Sequence, residues 1–381
     1  MKDKIIQQDD HIILPKATLK RFSDRNGSMY ALSLNNPEDL TLIRRFPRSF
    51  HTQKGFYDID VDNKVKRIET SIGKWNKKLL SAIQGNDFTQ IDLKELKEFA
   101  IQLITLQFHR CVMVDDNKRN TFFKKRICEL DKRIEECFLT GNANVKKFIN
   151  KKNDMISKTN TQKKSIRYFQ LNYLLNENQA IKSSYEHFKA VILYIPDDSD
   201  YSFILPPSHF IGIDTVARVV INPRLAIGLY PYEITTPNIY KISRGEAELL
   251  IPRTIESALE MPIGFKEIIG IEPYLKHIDD KIKSIRKMCN KKGDHIVVSS
   301  NYYYIDNNNC FEFFMILIFL FPETKKIVIN DESFKSSSDI SSIQWDDIKK
   351  YGFDISIISS TINNSSFAFN VFLTEEDALK K

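Results

Sequence analysis

The hydrophobic period of this chain changes once, near residue 188, and that change decides most of what it can fold into. Between Asn63 and Ile83 the apolar residues Val65, Ile68, Ile72, Trp75 and Leu79 recur at three-four spacing, which sets them on one stripe of an α-helix. Leu96, Ala100 and Leu103 repeat the spacing, as do Phe123, Ile127, Leu130, Ile134 and Cys137. Helices of this kind bury their stripes against one another, so the spacing predicts a central amphipathic bundle. Further on the period is lost. Val191–Ile195, Ser202–Leu205, Arg218–Ile221 and Leu225–Leu229 are short apolar runs punctuated by Pro, Asp and Gly, the pattern of strands.

The fold class this implies is α+β, and 381 residues exceed the usual size of one core, so two domains are expected. The first, residues 1–262, comprises a β-rich cap at 11–62, helices over 63–187, and strands closed by a helix over 188–260. In the cap, Asn26-Gly27 is a hairpin signal and Thr41–Phe46 is placed to pair with Ser28–Leu34. The polar stretch Asn150–Gln162 reads as a connection before a helix over Ser165–His187, and another helix is expected over Arg244–Glu260. Pro262 and Gly264 mark a boundary. Residues 263–381 then form an appended α/β or α+β module: a Lys-rich helix over Lys266–Asn290 and strands at His295–Ser299, Phe311–Phe321, Lys326–Ile329, Ile355–Ser359 and Ala368–Leu373. The Phe311–Phe321 run fits a buried strand or a core helix, and is too short to span a bilayer.

Five unpaired-looking cysteines and an N-terminus without a continuous apolar core point to a reducing cytoplasm and no membrane. Net charge is +7, but Lys118 to Arg167 alone holds fifteen Lys or Arg against five Asp or Glu. Such a concentration is the footprint of a phosphate-binding surface, with Lys118, Arg119, Lys124, Lys125 and Arg126 its candidate nucleic-acid contacts. The competing reading is a set of solvated helix faces in a Lys-, Asn- and Ile-rich chain. Walker, Rossmann, zinc-hydrolase, nucleophile-elbow and paired Cys-x-x-Cys signatures are absent. Tyr302-Tyr303-Tyr304 beside Asp306-Asn307-Asn308-Asn309 suits either a base-stacking loop or a strand end.

Three constellations could carry chemistry. The stripe of Leu96, Ala100 and Leu103 continues by the same spacing to Gln107 and Arg110, which places two polar side chains where burial is expected. A buried guanidinium needs partners, and Glu69, flanking the first helix stripe, is the leading candidate. Either the pair is structural or Arg110 holds a carboxylate or phosphate. His109 falls off the stripe and reads as exposed. His11 and Lys16, on the turn at Pro15, complete a set in which His would act as general acid or base, Glu69 as general base and Arg110 on a phosphorane. Separately, Asp58, Asp60, Asp62 and Glu69 occupy positions one, three, five and twelve of a calcium-type loop, with Asn63 in the glycine position. A Ca or Mg ion would be the cofactor there; the alternative is an acidic first turn of a helix.

Leu14-Pro15-Lys16-x-x-Leu19-x-x-Phe22, Phe56-Tyr57, Ile68-Glu69, Gln107-x-x-Arg110 and Ile221-Asn222-Pro223-Arg224-Leu225 together resemble a bacterial family known only as domain of unknown function (number 4238). The resemblance spans about residues 7–260 and adds Tyr57 to the candidate catalytic group of His11, Lys16, Glu69, Gln107 and Arg110. The chain departs from the family pattern twice. Ile12 stands where the family has histidine, and Leu205-Pro206-Pro207-Ser208-His209 replaces a Ser-Asp-Asn-Pro-like motif. By analogy and charge, the implied role is a toxin-like or phage-defence effector acting on nucleic acid, of nuclease type if an enzyme. The competing role is a non-enzymatic sensor or interaction module with a vestigial pocket, meeting a protein partner through the C-terminal module.

Overall fold

The computed structural model describes residues 9–36, 42–175, 179–213, 216–298, 310–321, 324, 326–330, 354–358 and 368–371. At the N-terminal end the elements are short: β1 (Asp9–His11), α1 (Lys16–Leu19), β2 (Met29–Ser33), β3 (Leu42–Arg45) and β4 (Thr52–Lys54). Pro15 starts α1, its carbonyl accepting from the Thr18 and Leu19 amides, and proline suits this place because its missing N–H is not needed there. The Asn26-Gly27 turn forms, with Gly27 at φ +72° and the Asp24 carboxylate accepting from the Asn26 and Ser28 amides. It leads from α1 into β2 and does not join two strands. β2 pairs antiparallel with β3, and β1 with β4.

Each apolar stripe is a helix, longer than its periodic core. α2 (Ile59–Gly85) ends on Asn86 in the left-handed conformation, and α3 (Leu93–Val114) is capped by Asp92, which accepts from the Lys94 and Glu95 amides. α4 (Asp116–Leu139) is capped by Asp115. Residues 150–162 are not a connection. Most lie in α5 (Val145–Thr159), because Phe148 and Met155, seven residues apart, supply an apolar seam that the Lys and Asn content conceals. The helix expected over Ser165–His187 is broken. α6 (Gln162–Phe169) runs into a π-helical turn at Gln170–Leu174, followed by α7 (Gln179–Ser184).

Five strands follow: β5 (Phe188–Tyr194), β6 (Phe210–Ile213), β7 (Val216–Asn222), β8 (Leu225–Pro231) and β9 (Ile239–Lys241). Their order is β6-β7-β8-β5-β9, antiparallel except for the β5-β9 pair. β7 and β8 are buried on both faces, which is why they read as continuous apolar runs without alternation. Ile72, Leu96, Phe99 and Leu103 of α2 and α3 pack on Ile192, Val219, Ile227 and Leu229 of this sheet. Beyond it, α3 meets α4, α6 and the π turn through Leu106, Met113, Phe123, Phe169 and Leu174. α3 is therefore buried on most of its circumference, as a helix apolar all round must be.

Ser202–Leu205 is not a strand; only Leu205 bridges to Ile269. The closing helix is two, α8 (Arg244–Glu248) and α9 (Ile251–Leu259). Ser243 and Glu246 form a capping box on α8, and Pro252, which cannot donate a helical hydrogen bond, sits in the first turn of α9. Residues 267–269, expected in a helix, are β10 (Glu267–Ile269), which extends the N-terminal sheet to β10-β2-β3. Buried Glu267 receives Arg45, and His51 lies 3.2 Å from its other oxygen. Gly270, at φ +78°, ends the strand where any Cβ would stand 2.8 Å from the Phe203 carbonyl, a place only glycine fills.

The chain divides at Gly270 into two compact units. In the second, a 3-10 turn (Glu272–Tyr274) precedes α10 (Leu275–Met288), β11 (Cys289–Lys292), β12 (His295–Val298), α11 (Cys310–Leu320), β13 (Lys326–Asn330), β14 (Asp354–Ile358) and β15 (Ala368–Val371). The sheet runs β11-β12-β13-β14-β15, parallel between β12, β13 and β14 and antiparallel at both edges. The apolar run at 311–321 is helical and not a strand, with Phe313, Phe314 and Leu317 buried. No described helix is long and apolar enough to cross a membrane. The Tyr302–Asn309 segment lies outside the described residues.

Glu267→Gln should lower the urea-unfolding free energy by about 1–3 kcal/mol, since it weakens charge-assisted hydrogen bonds at a buried acceptor. An unchanged unfolding midpoint would show that β10 does not depend on this group.

Candidate functional site

Arg110 projects from α3 with no exposed surface, and protein atoms receive every nitrogen of its guanidinium. Nη2 donates to Glu69 Oε1 at 2.7 Å, Nε to the Tyr57 hydroxyl at 3.0 Å and Nη1 to the Ile13 carbonyl at 3.3 Å. Gln107, also fully buried, fits when its amide nitrogen donates to Ile13 O at 2.7 Å and its oxygen accepts from Arg110 Nη1 at 3.2 Å. The Tyr57 hydroxyl in turn donates to the His11 carbonyl at 3.0 Å. Asp10 fixes the start of α2 by accepting from the Phe56 and Tyr57 amides at 2.7 and 3.1 Å. Helical spacing thus puts Gln107 and Arg110 on the face of α3 that meets the incoming N-terminal chain.

Electrostatics follow the burial. Desolvation alone would lower the Arg110 pKa, but Tyr57 and Glu69 outweigh it and the net shift is upward. Burial pushes the Tyr57 phenol up to about 12, with Arg110 opposing and Glu69 adding. Neither group exchanges protons near neutrality.

Glu69 is the member of the network that reaches solvent, its side chain 18% exposed. It lines an open groove of about 630 Å³ with Lys16, Lys20 and Arg21 from the α1 region and Lys66 and Thr70 from α2, and is the one acidic residue there. Lys66 pairs with Asp62, and Arg21 donates to the Ala17 carbonyl. Lys16 and Lys20 make no ion pair among the described residues. A second depression, of about 570 Å³, continues past them to Arg25 and Arg48. The groove presents positive charge around one oriented carboxylate, which suits a phosphate ester and a proton acceptor.

Several candidate residues take other places. Arg110 cannot meet a substrate phosphate, because it is sealed behind Glu69 and Tyr57. His11 is buried and enters the network through its carbonyl. Asp58, Asp60, Asp62 and Glu69 do not form a calcium loop: α2 begins at Ile59, so Asp58 and Glu69 stand ~16 Å apart along a helix axis. Asp58 lies 3.4 Å from Arg167, and Asp62 binds Lys66. The acids form the favourable first turn of α2, and no group of three or more potential metal ligands occurs among the described residues. Arg119 is not a surface cation. It is buried, donating to Ser165 Oγ at 2.8 Å and also to the Met113 carbonyl and Asp116. Lys118 approaches Glu260 at 3.4 Å, Arg126 pairs with Glu129, and Lys124 and Lys125 are exposed. His109 is buried and not exposed.

Beside the network lie His209 and Thr18, which no apolar spacing marks; His209 stands out in the sequence only as the end of the Leu205–His209 segment that departs from the family pattern. His209, fully buried at φ +66°, brings Nε2 to 3.2 Å from Thr18 Oγ1, close enough to Arg110 to feel its charge. Its place in the Pro206-Pro207-Ser208 turn has no periodicity, and a left-handed histidine leaves no mark in a pattern of apolar residues. Burial first, with the Arg110 charge adding to it, depresses the imidazole to about 3 against the Val220 backbone contact; His109 is depressed to about 4 by burial and Lys64. Comparison of the chain with known protein families, with curated proteins and with solved structures finds no match.

Arg110→Ala should cost about 3–5 kcal/mol, because it leaves Glu69 without its buried partner. Tyr57→Phe should cost about 0.5–1.5 kcal/mol, and denaturant unfolding checks both.

His109 and His209 set a pH dependence. Both bind protons more weakly folded than unfolded, so the stability present above the ordinary histidine value of 6.5 should be lost as pH falls toward 4 and then 3. His209→Asn, which tolerates the left-handed backbone, should flatten urea-derived stability between pH 7 and 4. An equal slope in the variant would contradict the assignment.

Proposed function

We propose that this chain is a nucleic-acid-directed effector of the bacterial toxin or phage-defence class, gripping phosphates in the groove between α1 and α2. The observation that carries this reading is a single carboxylate, Glu69, clamped from behind by buried Arg110 and opening among Lys16, Lys20, Arg21 and Lys66. In a phosphodiesterase reaction Glu69 would accept a proton from the attacking hydroxyl or water as its oxygen bonds to phosphorus, the lysines would stabilise charge on the phosphorane oxygens, and the P–O bond to the leaving oxygen would break with water supplying that oxygen's proton. Arg110, Gln107 and Tyr57 act as positioning residues that fix the Glu69 carboxylate. The exposed Lys124 and Lys125 on α4 extend the basic surface available to a long polyanion. Kinship of residues 7–260 with domain of unknown function (number 4238) and a cytoplasmic site of action belong to the same proposal.

A second reading is supported by the saturation of Arg110, which is how a purely structural guanidinium behaves. In it the chain is a non-enzymatic sensor or interaction module, and the unit beyond Gly270 meets a protein partner. Recombinant protein separates the two. The effector reading expects cleavage of single-stranded RNA or duplex DNA, lost by about 100-fold or more in Glu69→Gln at comparable melting temperature. It also expects Lys16→Glu with Lys20→Glu to reduce the slope of log affinity against log salt by about 1.5. Intact nucleic acid together with a salt slope unchanged by the double substitution would favour the sensor.

A further inference from the structure

On the face of α3 one residue round from Arg110, a second cavity holds a histidine in the opposite condition. His109 is 1% exposed, and neither ring nitrogen has a hydrogen-bond partner among the described residues. A neutral imidazole carries one donor and one acceptor, and leaving both unmet in the interior costs about 1–3 kcal/mol each. His109 lines a cavity of about 150 Å³, separate from the Glu69 groove. Its ring is fixed edge-on against Phe169, centroids 5.5 Å apart, and tilted to Tyr173 at 6.3 Å. Val65, Ile68, Ile101, Leu106 and Leu174 form an aliphatic part of the wall, and Gln102 and Thr105 are its neutral polar members. Leu174 is delivered by the π-helical turn Gln170–Leu174, a rare geometry that recurs at binding sites.

Charge selects among possible occupants. Lys64, Arg67 and Lys182 also line the cavity, and among the described residues no acidic side chain does. Lys64 donates to the Leu175 carbonyl, which ties it to the end of the π turn. A cation would be repelled. An anion with an apolar body would be received: its charge by the basic residues, its body by the aliphatic wall, and a polar substituent by His109. A cavity of about 150 Å³ is the size that holds a benzene ring.

We infer that this cavity is a binding site for a small aromatic carboxylate, with His109 hydrogen-bonding a ring hydroxyl or equivalent polar atom and Arg67 engaging the carboxylate. The inference does not depend on the nucleic-acid reading, since the ligand enters a different pocket and its binding is measured without any catalytic assay.

Calorimetric and NMR titration of the full chain with 4-hydroxybenzoate, benzoate and benzylamine tests it. Saturable binding of 4-hydroxybenzoate is expected, weaker binding of benzoate, and none of benzylamine, which has the same ring with the wrong charge. His109→Phe keeps an aromatic ring and removes both nitrogens. It should weaken 4-hydroxybenzoate about tenfold, the equivalent of one hydrogen bond to a polar partner, while raising the melting temperature of the free protein. Arg67→Glu, an exposed residue whose exchange spares the core, should weaken both carboxylates by at least about tenfold. Absence of saturable binding by either carboxylate up to about 10 mM, a concentration beyond weak millimolar affinity, would overturn the proposal. So would benzylamine binding as tightly as benzoate, or carboxylate binding unchanged by Arg67→Glu.

Discussion

A guanidinium with no exposed surface must find acceptors in fixed directions or drive apart the structure around it. Arg110 finds its acceptors at Ile13, Tyr57, Glu69 and Gln107. These come from the bend that follows β1, the entry to α2, its third turn, and the preceding turn of α3. One side chain therefore sets the register of the N-terminal chain against the α2-α3 pair and, by gripping Glu69, the direction in which that carboxylate meets the groove. The lysines of α1 stand beside Glu69 because Ile13 and His11 are pinned a few residues earlier.

This network was legible in the sequence for a specific reason. Gln107 and Arg110 continue an apolar stripe, and polar residues at buried positions demand partners, so burial and the pairing with Glu69 follow from helical geometry. The same logic reached α2, α3 and α4. It failed where composition masks spacing, as in α5, whose seam of Phe148 and Met155 is buried under Lys and Asn. It failed at Arg119, because a count of charges does not distinguish a surface cation from one locked onto Ser165 and Asp116. The Asp58–Glu69 spacing matches a calcium loop as text but lies on a helix, and spacing alone does not say which backbone it winds on. The run at 311–321 is apolar throughout and has no period to read, so helix and strand were equally open. β10 and His209 depend on contacts with β2 and Thr18 that are remote along the chain, and nothing local announces them.

Adjacent residues of a helix point about 100° apart, and on α3 this separates two kinds of polar interior. Arg110 faces a network in which every nitrogen is met, so it is rigid and specifies one arrangement. His109 faces a cavity of mixed aliphatic and basic lining with its nitrogens unmet. The first arrangement is what folding optimises, whereas the second is tolerated at a cost and is more typical of a place reserved for something else.

The pairing of β10 with β2 also bears on how the protein comes into being. Glu267 lies opposite Ser33, so the N-terminal sheet lacks a strand until the ribosome has made more than two hundred further residues. At ~5–20 residues per second that interval lasts on the order of 10–50 s. The Arg110 network needs only the first 110 residues and can close early, but during this interval the edge of β2, together with Arg45 and His51, waits without Glu267. A nascent chain would thus hold its carboxylate clamp before the β10 side of its N-terminal sheet exists, and emergence of β10, not synthesis of the clamp, would time the finished sheet.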